Sequence, residues 1–439
     1  MFLIAPPLSL QICQMKCLFS GTYWLDKSNK YDTPLKVRIH LIIKWFIGIF
    51  FLPLWDICML IDDIFYPQYR KIDLSKSIFL VGAFRTGSTS LHRQLFMDEN
   101  RYVSPHYFEL FFPFLCVYYF NEKLCRIFGK DRMKHIYDRL LHIYFQKILG
   151  PEVILRHPMT GYEAEEDDLL LGSWQKVGWY AITGFPHPKS WMNSGKLNEY
   201  SEGDLQKTFL FYERTMQKIM YYRSTSDAYR NVFASSNPPV LLSKSHLIGL
   251  MPIIKQKYKD AKIVGIVRHP KDAFTSWYAL AQAALDSITN GGHITPTSTA
   301  VEAHLQFWDH FTQQEMNFFK QYLGKKTGSD NREWTVSDDG TVTVLTSKSY
   351  FSNHVQTIEK LYENWGTDSF NGSEYQKRLN AETSNHKSYK KKKLYKDPSL
   401  TDLGISDEYM TERYSKYIDY FELDISNQQK KDNHEKELL

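Results

Sequence analysis

Apolar and polar positions along the chain follow two periods. Ile78-Phe-Leu-Val-Gly82, Val240-Leu-Leu-Ser243 and Lys262-Ile-Val-Gly-Ile-Val-Arg268 are short apolar runs with polar edges, the pattern of strands buried on both faces. Helical spacings lie between and after them: residues 88–97 with Leu91 and Leu95 on one face, residues 204–223, residues 248–258, and a helix opened by Pro270 that runs through Trp277 and Leu280. Strands alternating with helices predict an α/β fold, a central parallel sheet flanked by helices in a three-layer sandwich, with ligands at the carboxyl ends of the strands. Residues 163–175 predict a helix whose acidic start compensates the helix dipole. Residues 334–345 alternate around Asp338-Asp-Gly340 and predict a hairpin, residues 355–365 an amphipathic helix, and Ser406 the cap of a helix carrying Tyr409, Met410, Tyr414, Tyr417, Ile418 and Phe421. Residues 286–299 are expected to form a mobile loop, residues 367–398 a polar lysine-rich loop, and residues from about 426 a disordered tail.

Residues 41–61 form the longest apolar stretch and have about the length, roughly 20 residues, that a bilayer span requires. Lys44 and Asp56 interrupt it, so two expectations stand: a membrane span or monotopic anchor, or an apolar helix packed on the domain. Lys30, Lys36 and Arg38 before the stretch and Asp62 and Asp63 after it favour a cytoplasmic amino terminus. For a span in a eukaryotic cell this implies a lumenal, Golgi-like catalytic domain, and without a span a cytoplasmic protein. The expected organisation is an amino-terminal region over 1–61, one large domain over 62–425 and a polar tail over 426–439.

The chain of 439 residues is 43% hydrophobic, ample for one large core, and its net charge of +5 suits an anionic ligand. No basic stripe interleaved with stacking aromatics is visible, so nucleic acid is not expected as a partner. Lys387 and Lys390 to Lys393 form the one basic run. The five cysteines, 13, 17, 58, 116 and 125, have no zinc spacing. Cys116 and Cys125 are available for a disulfide in an oxidising compartment, two thiols being the alternative.

The chemistry concentrates after the first strand. Gly82-Ala-Phe-Arg-Thr-Gly-Ser-Thr-Ser90 has the glycine spacing of a P-loop, with Ser88 where nucleotide triphosphatases carry Lys and the cation displaced to Arg85. Such a turn opening a helix cradles a phosphate ester through backbone N–H groups, with Gly82, Thr86, Gly87, Ser88, Thr89 and Ser90 as its binding residues. The next two strands deliver Lys244-Ser-His246 and Arg268-His-Pro-Lys-Asp-Ala-Phe-Thr-Ser276 to the same rim. Arg85, Lys244, Arg268, Lys271 and Ser276 are then anion donors and His246 a titratable group, enough for a ligand with two separate phosphates.

At these residues the chain resembles the sulfotransferases that use 3′-phosphoadenosine 5′-phosphosulfate (PAPS), in a broad, mainly bacterial-type branch. The loop at Gly82 to Ser90 is similar to the 5′-phosphosulfate loop, Lys244-Ser-His-Leu247 to the stretch bearing the general base, and Arg268 with Ser276 to the 3′-phosphate site. Ser104-Pro-His-Tyr-Phe-Glu109, the acidic run at 163–168 and Pro398 to Ser406 extend the likeness, which covers about residues 62–423. Phe84 replaces the usual Pro, Ser90 stands where many members carry an adenine-stacking Trp, and no Arg-Lys-Gly motif is present near the carboxyl end. The resemblance implies transfer of a sulfuryl group from PAPS to a hydroxyl or amine of a small-molecule, lipid or glycan acceptor. It assigns Arg85, Lys244 and His246 as catalytic, with Glu109 and Glu165 as alternative bases, leaves adenosine 3′,5′-bisphosphate, and calls for no metal. A P-loop kinase or NTPase, and a membrane-tethered binding protein with a decayed transferase domain, are the competing readings. Phe108, Phe111, Phe112, Trp174, Trp179 and Tyr180 supply either an apolar acceptor pocket or core.

Overall fold

The computed structural model describes residues 11–12, 22–24, 30–32, 35–144, 150–157, 166–175, 177–178, 195–227, 238–289, 297–324, 334–367, 370, 373–390 and 395–423. A short antiparallel pair, β1 (Thr22–Trp24) and β2 (Lys30–Asp32), precedes the main body. The main sheet has six strands: β3 (Ile78–Val81), β4 (Tyr102–Val103), β5 (Val240–Ser245), β6 (Lys262–Val267), β7 (Trp334–Val336) and β8 (Val342–Thr346), in the order β4-β5-β3-β6-β8-β7. All neighbours are parallel except the β7–β8 hairpin at one edge.

Alternate residues of β3 enter opposite layers. Phe79 and Val81 join one apolar cluster, Ile78 and Leu80 the other, and all four are buried. A strand apolar on both faces must be covered on both, which produces the three layers expected from the sequence. The helices that matter for the site are α1 (Leu35–Phe65), α2 (Ser88–Phe96), α3 (Leu115–Phe128), α4 (Lys130–Tyr144), α5 (Asp168–Trp174), α6 (Glu202–Thr225), α7 (Pro270–Thr289), α8 (Thr297–Leu323), α9 (Ser347–Ser352) and α10 (Ser415–Phe421).

Several expectations change in the structure. The stretch expected as a mobile loop at 286–299 is shortened from both sides, because α7 continues to Thr289 and α8 starts at Thr297, leaving 290–296 outside the described residues. Within the expected lysine-rich loop, Glu374–Lys390 is helical, since Tyr375 and Leu379 sit one turn apart and are buried in one apolar cluster, where Tyr375 meets the rings of Tyr362 and Phe370. The acidic helix starts at Asp168 rather than at 163, and residues 163–165, the tail from 426 and Lys391 to Lys393 lie outside the described residues. Cys58, Cys116 and Cys125 are free thiols, so the Cys116–Cys125 disulfide does not form.

The apolar stretch at 41–61 lies within α1, a helix of 31 residues with Pro53 inside it. No helix among the described residues is long and apolar enough to cross a membrane. The carboxyl-terminal half of α1 is bound to the domain: Trp55 stacks on Phe114 at 5.5 Å, Met59 is buried, and Asp62 accepts from the N–H groups of Leu115 and Cys116 at 2.9 and 2.8 Å. Asp62 thereby caps α3 from a neighbouring helix and also pairs with Lys218 of α6 at 2.7 Å, both side chains being 0% exposed. A cytoplasmic amino terminus with a lumenal catalytic domain requires a span, and the described residues supply none.

Candidate active site

The register of the sheet brings three chain segments to one rim. Val81 of β3 is paired with Ser245 of β5 and Gly265 of β6, so Gly82, His246 and Ile266 emerge side by side at the carboxyl ends. Gly82 has φ 152°, and a Cβ there would stand 2.7 Å from the Ile266 carbonyl oxygen of the adjoining strand. Gly87, at φ 110°, is the residue before α2, and a Cβ would meet the Phe351 ring of α9 at 2.9 Å. The glycine spacing is thus a steric requirement of a loop pressed between β6 and α9.

Between the glycines, Arg85 takes φ 63°, a conformation that costs a side-chain-bearing residue about 1–2 kcal/mol. Arg268 offsets part of this by donating from Nη1 to the Arg85 carbonyl at 3.0 Å. The Arg85 guanidinium donates from Nε to Ser276 Oγ at 3.0 Å and from Nη1 to the Arg156 carbonyl at 3.4 Å. Arg85, Arg268 and Ser276, distant in sequence, are therefore one constellation. Among the described residues neither guanidinium has a carboxylate at ion-pair distance, whereas Arg156 nearby pairs with Glu152 and Asp397. Burial lowers the pKa of Arg268 and the Arg85 charge adds to the effect, against the attraction of Asp272. Two adjoining, partly desolvated cations favour an anion between or above them.

Behind the loop lies a second, fully buried layer. Lys244 Nζ bonds Glu166 Oε1, and His246 Nε2 stands 3.3 Å from Glu166 Oε2. On its other edge His246 Nδ1 meets the Gly82 carbonyl at 2.6 Å, which fixes the N–H at Nδ1 and turns Nε2 towards Glu166. His157 Nε2 lies 3.8 Å from Glu166 Oε1, and Thr89 Oγ1 donates to the same oxygen at 3.4 Å. Burial by itself would raise the Glu166 pKa; the Lys244 ammonium and His246 reverse this and hold the carboxyl well below its ordinary range. Asp168 accepts from the Ser245 hydroxyl and the His246 N–H, locking the β5 end onto α5, and burial raises its pKa. Burial pushes Asp167 up to about 7, although Ser243 and Tyr212 donate to it.

The loop backbone is also held from beneath. Ala83 N–H donates to Glu315 Oε1 of α8 at 3.1 Å, and Glu315 Oε2 accepts from Tyr417 of α10 at 2.7 Å. Burial pushes Glu315 up to about 7. Thr86 donates to the Ala83 carbonyl at 3.0 Å, Ser88 is buried at the first turn of α2, and Ser90 Oγ accepts from Tyr350 at 2.9 Å. Phe84, the departure from the usual Pro, packs 4.2 Å from the His246 ring and 4.8 Å from Phe311. It fills the space between the histidine and α8.

Of the alternative bases, Glu109 lies in another network: its carboxylate bonds Arg223 at 2.8 Å and the His106 N–H at 2.9 Å. Glu165 lies outside the described residues, while its neighbour Glu166 is the carboxylate in contact with Lys244 and His246. Glu166, Asp168 and Glu315 were not singled out by the sequence reading. The acidic run marks the first two, but its ordinary meaning as helix-dipole compensation hid them; nothing local marks Glu315 within α8. Phe112, Phe114 and Trp174 pack with Trp55 of α1, and Trp179 and Tyr180 lie outside the described residues.

Comparison with known proteins agrees with this architecture. Sulfotransferase STF1 from Mycobacterium tuberculosis H37Rv superposes with a TM-score of 0.61 at 16% identity, over 93% of this chain and 92% of that one. Sulfotransferase STF9 from Mycobacterium avium superposes with a TM-score of 0.58 at 14% identity, over 81% of this chain and 79% of that one. No curated protein matches the sequence significantly. The family model described as "Sulfotransferase family" matches residues 77–324, more than half of the chain and the whole span from β3 to α8. This chain belongs to the sulfotransferase family.

Proposed function

We propose that the protein transfers a sulfuryl group from PAPS to a hydroxyl or amine of a small-molecule acceptor, leaving adenosine 3′,5′-bisphosphate. The observation that carries this reading is the two-tier rim: Arg85, Arg268 and Ser276 as a cationic constellation, with Lys244, Glu166 and His246 buried directly behind the loop. Arg268 and Ser276 suit a 3′-phosphate, and the N–H groups and hydroxyls of residues 82–90 suit the 5′-phosphosulfate. As the S–O bond breaks, charge grows on the leaving phosphate, and Arg85 and Lys244 stabilise it. The proton of the acceptor passes to His246 Nε2, and Glu166, ionised by its neighbours, stabilises the imidazolium that results. Proton transfer of this kind contributes about 10²–10⁴ in rate.

Turnover of radiolabelled PAPS across phenols, lipids, glycans and tyrosine peptides tests the reading. His246→Ala is expected to abolish transfer while calorimetric binding of the bisphosphate persists; unchanged turnover would remove His246 as base and leave Glu166. Arg268→Ala is expected to weaken bisphosphate binding, and equal affinity would overturn the 3′-site. The P-loop kinase alternative lacks support at Ser88, and magnesium-dependent ATP hydrolysis by the purified chain would favour it.

A further inference from the structure

The outer face of α1 is apolar along its length. Ile39, Ile43, Leu54, Ile57, Leu60 and Ile64 are all exposed, and at 100° per residue they fall within an arc of about 120° that runs for about 38 Å. The carboxylates of α1, at Asp56, Asp62 and Asp63, fall outside that arc. The inner face, with Met59 and Asp62, is the one that binds the domain. α3 packs on α1, and α4 packs on α3. Both carry the same feature: Phe120 and Ile127 on α3 are exposed, Ile127 at 72%, as are Ile136, Leu140 and Ile143 on α4. So many exposed large apolar side chains on three helices packed in succession are unusual on a soluble monomer.

Charge decides what covers it. On α4, Arg132 and Arg139 lie within about 60° of Ile136 around the helix, whereas Asp131 and Asp138 lie about 140–160° away. All four are exposed. Arg132 and Arg139 therefore border the apolar stripe, while the carboxylates, together with Lys130 and Lys134, lie away from it. The first half of α1, residues 35–50, contains Lys36, Arg38 and Lys44 and no carboxylate. An apolar face edged by cations fits an anionic lipid surface, into which such a helix sinks its apolar side while lying parallel to the membrane. A second copy fits less well, because a twofold contact through this face would bury Arg132 and Arg139 of both copies in an interface whose stripe offers no carboxylate to receive them.

The geometry points to a monotopic membrane-docking face formed by α1, α3 and α4, whose partner is an anionic lipid headgroup surface. This inference stands independently of the catalytic reading. The face does touch the site's framework: Trp55 of α1 meets Trp174 at 5.3 Å, the last residue of the helix that begins at Asp168 beside His246. Docking through α1 would set the rim at a fixed height above the membrane.

Flotation of the full chain with vesicles tests this. Phosphatidylcholine vesicles containing about one-fifth phosphatidylserine are expected to carry the protein upward, at least ten-fold more than phosphatidylcholine alone. Arg132→Glu with Arg139→Glu should lower binding about ten-fold or more, and Leu140→Glu with Ile143→Glu should abolish it, while thermal melting and circular dichroism of both variants match the parent. Absence of binding to anionic vesicles overturns the proposal. If light scattering then shows a dimer that Leu140→Glu with Ile143→Glu dissociates, a second copy occupies the face instead; a monomer that does not float leaves the proposal equally overturned. Binding unaffected by either double variant would place the lipid contact elsewhere and also overturn it.

Discussion

Replacing Glu315 by Gln should change how stability responds to pH. Burial pushes the Glu315 carboxyl from its ordinary 4.5 up to about 7 in the folded protein. The folded state therefore holds a proton that the unfolded state releases between those values, and stability falls as pH rises through that window. At 1.36 kcal/mol per pH unit the contribution amounts to about 3 kcal/mol over the full window, or about 2–3 kcal/mol between pH 5 and pH 8. Glutamine keeps an acceptor for Ala83 N–H and a polar group for Tyr417, but cannot ionise. Urea unfolding at pH 5, 6, 7 and 8 should show the parent losing that much more stability than Glu315→Gln over the same range. Because the carboxyl touches the loop backbone, its ionisation also sets a negative charge beside the proposed phosphosulfate site, so bisphosphate affinity of the parent should fall above pH 7 and that of the variant should not. Parallel stability curves for the two proteins would refute the reasoning.

Three further outcomes follow from the geometry. Gly82→Ala places a methyl 2.7 Å from the Ile266 carbonyl and displaces the carbonyl that receives His246 Nδ1; it should cost about 1–3 kcal/mol in thermal melting and lower turnover more than bisphosphate affinity. Glu166→Gln leaves the buried Lys244 ammonium without its counter-charge and should cost about 3–5 kcal/mol in urea unfolding together with most of the turnover. Asp62→Ala, remote from the rim, strands Lys218 and uncaps α3, and should cost about 3–5 kcal/mol in urea unfolding while kcat of the surviving folded protein is retained.

The order of strands and helices was legible in the sequence because a buried parallel strand needs an apolar run, and a crossover helix needs its own period. The loop was legible because its glycines answer to local backbone geometry, and β3, β5 and β6 deliver Arg85, His246 and Arg268 to one rim in any parallel sheet that places them together. The sequence alone thus determined the fold class, the glycine-bearing loop after β3 and the cations at its rim. Only the tertiary structure decided that Arg85 bonds Ser276, that Glu166 rather than Glu109 stands between Lys244 and His246, and that Glu315 supports the loop from α8. These contacts join residues far apart in the chain, and no local period records which of many buried acids meets a given cation. The same holds for residues 41–61: hydropathy marked an apolar helix, but that its carboxyl-terminal end is tied to the domain depended on Asp62 finding Lys218 and the first turn of α3.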